Sequence, residues 1–157
     1  MAHPLTALQW TRWRELKTPS ERRGSATYKI RLTAEGQAVH IPRFLGPDED
    51  GLLCIGETSN MERRRRNFAR AVKRGRGHSS GNLLCQLELA GLLTSRWPGR
   101  ALEYSFAVAE SKGDAIRLQD DLIEAYMRHF GEAPPLNSSI PRSLRMHGFG
   151  YRAAQEE

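Results

Sequence analysis

Residues 52–66 read LLCIGETSNMERRRR, and the reading of this stretch decides the fold. Leu52 to Gly56 is a short apolar run closed by a glycine, the pattern of a buried strand. Four polar residues follow, Glu57 to Asn60. Ser59 and Glu62 stand three apart, the spacing of a capping box, so a helix is expected to start there and to run through Arg74 to the breaker Gly75-Arg76-Gly77. A strand that passes directly into a helix points to a mixed α/β architecture. Met61, Phe68 and Val72 recur at helical spacing and define a buried face. Arg64 and Arg65 then lie beside that face, with Arg64, a turn from Phe68, held by packing at its rim, while Arg63 and Arg66 point outward.

Working outward, Thr27 to Leu32 (TYKIRL) alternates β-favouring residues and is expected to be a strand. The long connection containing IPRFLGPDEDG is too rich in proline and glycine for regular structure. Asn82 to Leu93 is expected to be a short helix, and Ala101 to Ala109 (ALEYSFAVA) a third strand. Ser111 opens a long helix to Phe130, closed by Gly131. Leu118, Leu122, Ile123, Tyr126 and Phe130 form its apolar face; Gln119 falls near the centre of that face and Glu124 on the polar side. A helix is expected over Thr6 to Lys17, where Leu5, Leu8, Trp13 and Leu16 share a face, and another short one after Pro141. The expected fold is α/β (α+β), a small three-stranded, mainly antiparallel sheet flanked by helices. One domain is expected over 1–157, with a helical extension over 1–23, a core over 24–137 and a C-terminal extension over 138–157.

Charge is unevenly placed. The 157 residues carry a formal net charge of +6. Between Asn60 and His78 eight basic residues (Arg63, Arg64, Arg65, Arg66, Arg70, Lys73, Arg74, Arg76) face the single acid Glu62, which leaves 16 basic against 17 acidic residues elsewhere. A concentrated excess of this kind suits displacement of counterions from a phosphate backbone, as it also suits a plain solvated helix face. Cys54 and Cys85 sit in apolar surroundings without CxxC spacing, so free buried thiols are expected. The mean hydropathy is −0.59, and no apolar run approaches the ~20 residues that cross a bilayer. A cytoplasmic protein without membrane contact is the expectation.

Taken in order, Thr27-Tyr28-Lys29-Ile30, Cys54-Ile55-Gly56, Arg64 eight residues past that glycine, Gln119-Asp120-Asp121-Leu122-Ile123 and Ala133-Pro134-Pro135-Leu136-Asn137 resemble the motifs of the GIY-YIG nuclease superfamily. The likeness spans roughly Ala26 to Asn137. It implies a DNA endonuclease, of the restriction or defence branch, that hydrolyses phosphodiester bonds with Mg²⁺ or Mn²⁺. By that resemblance Tyr28 would activate water, Arg64 would orient and neutralise the phosphate, position 119 would hold the metal and Asn137 would brace the site. His78 is similar to a histidine that some members carry. Gly56, Thr58 and Phe68 would be structural members of the motifs. Lys29, Arg63, Arg65, Arg66, Arg70, Lys73, Arg74 and Arg76 would contact nucleic acid, with double-stranded DNA favoured, and a homodimer would allow both strands to be cut.

Three positions depart from the pattern. Cys54 replaces the second motif's tyrosine and Phe68 stands where relatives often carry His or Tyr. Gln119 replaces the glutamate, and a neutral amide holds a hard cation far more weakly than a carboxylate does. Gln119 is therefore read as an inactivating substitution in an endonuclease. The alternative is a catalytically silent nucleic-acid-binding module of the same fold.

Overall fold

β2 (Ala26–Ala34) runs through the middle of the sheet because its residues are buried almost without interruption, as a strand covered on both faces must be. The computed structural model describes residues 8–137. Around β2 lie β1 (Arg14–Glu15), β3 (Gln37–Ala38), β4 (Leu52–Thr58) and β5 (Arg100–Val108), all antiparallel. β5 pairs along the full length of β2 on one side and carries β1 on its outer edge. β4 pairs on the other side, with Tyr28 opposite Gly56 and Ile30 opposite Cys54. Three long strands were expected; the sheet has five, because two-residue strands extend it beyond β5 and form a hairpin with the end of β2.

Helices cover both faces. α1 (Met61–Arg74), α2 (Ser79–Leu89) and α3 (Leu92–Arg96) lie on one side, where Met61, Phe68, Leu84 and Leu93 join Tyr28, Ile30, Leu32, Tyr104 and Phe106 in the main core. α4 (Lys112–Phe130) lies on the other, packing Leu122, Ile123 and Tyr126 against Leu52 and Ile55. The mixed α/β class is as expected, and α1 and α4 end at Gly75 and Gly131, both in the left-handed conformation. The expected helix over 82–93 is instead split. α2 begins three residues earlier, and Gly91, with φ 71°, separates it from α3.

The opening segment corrects the expectation of a helix over Thr6 to Lys17. Trp10 bridges Ala107, the Thr11 amide donates to Phe106 O (3.0 Å), Arg14 pairs with Tyr104, and the Leu16 amide donates to Leu102 O (2.9 Å). The reason is the exposed hydrogen-bonding edge of β5, which an extended partner satisfies and a helix does not. Trp10 and Trp13 then lie under Lys29 and Arg31, with Lys29 Nζ 4.0 Å and the Arg31 guanidinium 4.3 Å from the ring centroids. The expected helix after Pro141 lies outside the described residues.

The connection before β4 is held by one buried carboxylate. Asp48, 2% exposed, accepts from the amides of Asp50 (2.8 Å) and Leu52 (3.3 Å) and from Tyr126 Oη (2.8 Å), and its backbone exchanges two hydrogen bonds with Ile41. Burial first, then Asp48, push the Tyr126 phenol well above the usual range. Asp48 thus ties the loop to α4 and sets the start of β4. Replacement Asp48→Ala is expected to cost about 2–3 kcal/mol, because it leaves buried donors without partners; urea denaturation monitored by circular dichroism measures it.

Candidate functional site

The cleft forms where β4 meets α1, α2 and α4. Successive residues of a strand point to opposite faces. Tyr28, Cys54 and Gly56 therefore face the α1 side, whereas Glu57 faces α4. At Gly56 an added Cβ would overlap the Tyr28 ring, so the glycine makes room for the phenol to lie flat across β4. After Gly56 the chain turns into α1 under a cap that differs from the expected box. Asn60 is the capping residue, its Oδ1 accepting from the Arg63 amide (3.0 Å), and Thr58 Oγ1 both donates to Asn60 O (3.1 Å) and accepts from Asn60 N (3.0 Å). This start brings Arg64, one turn in, to the rim of the cleft.

Glu62, freed from capping, does other work. Its carboxylate takes Arg65 Nε (3.0 Å) and Nη2 (2.6 Å) and the Ser20 amide (2.8 Å) and hydroxyl (2.9 Å), while Arg65 Nη1 donates to Leu16 O (2.8 Å). Arg65 holds the Glu62 carboxyl at about 2, with Ser20 assisting against the opposing effect of burial. Arg65, expected at nucleic acid, is only 7% exposed; its fork is used to pin the opening segment to α1. Lys29 is also directed elsewhere, over Trp10 on the α4 face. Arg63, Arg66, Arg70, Lys73, Arg74 and Arg76 are exposed.

A cleft of roughly 160 Å³ is lined by Tyr28, Cys54, Gly56, Glu57, Arg64, His78, Gln119 and Asn137, among others. Six elements or loops thus converge on it. Asn137 closes the free edge of β4 as a short strand would, its Oδ1 accepting from Ile55 N (3.0 Å) and its Nδ2 donating to Ile55 O (2.9 Å), with Leu136 N on Leu53 O (2.8 Å). Phe68 is fully buried against the His78 ring, centroids 4.8 Å apart. Both cysteines are free and buried, and burial pushes the Cys54 thiol up to about 12, so it stays protonated at neutral pH.

His78 is the capping residue of α2, with Nδ1 accepting from Gly81 N (3.5 Å). That network assigns the neutral ring its proton on Nε2, which then donates to Tyr28 Oη at 3.4 Å. Burial, followed by the nearby Arg64 charge, lowers the His78 pKa to about 4. Burial likewise pushes the Tyr28 phenol far up, Cys54 and Glu57 adding to the rise and Arg64 opposing it. At neutral pH the cleft therefore presents a guanidinium, a phenol O–H whose oxygen is held by the imidazole N–H, the Gln119 amide, and the Glu57 carboxylate paired with Lys112. The guanidinium, phenol and amide are donors suited to an oxyanion.

A hard dication requires charged oxygen ligands. Among the described residues Glu57 is the one carboxylate that lines the cleft, its Oε2 is shielded from solvent, and the Lys112 ammonium pairs with it. Gln119 contributes a neutral amide. No group of three or more His, Cys, Asp or Glu gathers as a metal centre among the described residues. The donor set does not fit a resident Mg²⁺ or Mn²⁺. Sequence reading passed over Glu57 and Lys112, and the available signal was the position of Glu57 one step past Gly56, which turns it toward α4.

Among the described residues no helix is long and apolar enough to cross a membrane. Comparison with protein-family models, with curated proteins and with solved structures gave no match.

Two outcomes are expected. Gly56→Ala forces the Tyr28 ring to move and costs ~1–3 kcal/mol by overpacking, read from the denaturation midpoint. His78 has a folded pKa below its reference value of 6.5, so the native state binds fewer protons than the unfolded chain between those values. The stability it contributes is complete above about 6.5 and is lost as pH falls toward about 4. Urea titrations across that window should show a shallower pH dependence for His78→Asn, which retains a capping oxygen.

Proposed function

We propose that the cleft is the phosphodiester site of a GIY-YIG-type DNA endonuclease in which Gln119 has replaced the metal-holding glutamate. The supporting observation is the convergence of Tyr28, Arg64, His78, Gln119 and Asn137 on a single hollow of roughly 160 Å³. These residues are spread over more than a hundred positions of the chain, and they are those named by the order of the sequence motifs.

In this reading Arg64 neutralises the phosphate, the Tyr28 hydroxyl and the Gln119 amide donate to its nonbridging oxygens, and the His78 Nε2–H holds the Tyr28 oxygen in place. The exposed basic residues Arg63, Arg66, Arg70, Lys73, Arg74 and Arg76 continue along the backbone of a duplex and contribute sequence-independent affinity. The Mg²⁺ or Mn²⁺ implied by the resemblance belongs to a form with a carboxylate at position 119, and two copies would be needed to cut both strands. The second reading, a binding module that has abandoned hydrolysis, draws on one observation: among the described residues the one carboxylate lining the cleft is already paired with Lys112.

Duplex DNA retention measured by fluorescence anisotropy should fall linearly in log salt, and Arg64→Ala should weaken it by about tenfold or more, through loss of a charge-assisted contact. Gln119→Glu should produce cleavage of a labelled duplex with Mg²⁺ or Mn²⁺. Retention of DNA without cleavage by that variant selects the binding module, and failure of the wild-type chain to retain DNA at low salt overturns both.

A further inference from the structure

The Glu57–Lys112 pair is placed unusually for a surface ion pair. Lys112 is the first residue of α4, where the aligned peptide dipoles disfavour a cation. Its ammonium nevertheless sits against Glu57, whose Oε2 is out of contact with solvent while the lysine side chain is 46% exposed. The lysine therefore covers that one oxygen, while the Glu57 side chain as a whole stays 20% exposed. Lys112 and Gln119 are seven residues apart, two turns of α4, and so share the helix face that packs on β4.

We propose that Lys112 acts as a built-in counterion that occupies the Glu57 carboxylate and so keeps divalent cations out of the cleft. The proposal rests on reading the cleft as a phosphodiester site. The charge count carries it. Glu57, Lys112 and Arg64 leave the cleft at a formal +1, so an entering dication meets net repulsion and a ligand whose charge is already matched. Removal of the ammonium brings the local charge to zero and frees one carboxylate oxygen, and Mg²⁺-type ions bind through one or two carboxylates with water and phosphate oxygens completing the shell. In the wild-type chain the pair also makes phosphate binding independent of metal.

The test uses full-length, metal-free protein without DNA, with Mn²⁺ as the probe and free Mn²⁺ read by electron paramagnetic resonance. Wild type should show no saturable binding at millimolar Mn²⁺. Lys112→Met should gain one site, at least about tenfold tighter, and Lys112→Met with Glu57→Gln should lose it again. Thermal melts confirm folding, and Lys112→Gln serves if the methionine variant is unstable. Wild-type binding as tight as that of Lys112→Met overturns the proposal, as does no gain on removing Lys112 or a gain that survives Glu57→Gln. Anisotropy of a duplex with each protein in EDTA is a separate readout: loss of wild-type DNA retention overturns the phosphodiester reading and leaves the metal result interpretable.

Discussion

The contact of the Tyr28 ring with the backbone of Gly56 is the constraint on which the cleft depends. It follows from the register that sets Tyr28 opposite Gly56 in adjacent antiparallel strands, and it requires that Gly56 have no side chain. Once the phenol lies across β4, its oxygen reaches the edge of the sheet and meets His78. The same register turns Glu57 to the other face, toward α4. A shift of one residue would exchange these directions and leave no common hollow.

The edge of β4 would be an unpaired row of backbone groups without the segment after α4. Asn137 supplies through its amide both hydrogen bonds that a neighbouring strand would make to Ile55, and Ser80 Oγ fastens the segment by donating to Leu136 O (2.8 Å). The cleft therefore has a floor of saturated backbone, which favours a fixed geometry for the donors above it. Asn60 performs the corresponding task for α1 by determining where the helix begins and hence which arginine reaches the rim.

Burial shapes the electrostatics as much as charge does. A phenol and an imidazole are both held neutral beside a guanidinium, and the imidazole N–H is spent on the phenol oxygen, which leaves the phenol hydrogen and the guanidinium as the donors of the pair. Proton removal from water is the step these residues are poorly placed to support, since burial opposes the phenolate form of Tyr28.

By itself the sequence determined the three long strands, α1 and α4, the outward direction of Arg63 and Arg66, and the face of α4 on which Gln119 lies. These are consequences of periodicity and termination, in which each residue's face is decided by its near neighbours. Tertiary structure alone decided that residues 10–16 run as an edge strand, that Glu62 abandons capping for Arg65 and Ser20, and that Lys112 reaches Glu57. The physical reason is that an unpaired strand edge or a partly buried charge takes whichever partner the fold brings near. Apart from Arg65, which stands three residues from Glu62 on the same helix, those partners come from other parts of the chain, 42 residues away for Ser20 and Glu62, where no local pattern records them.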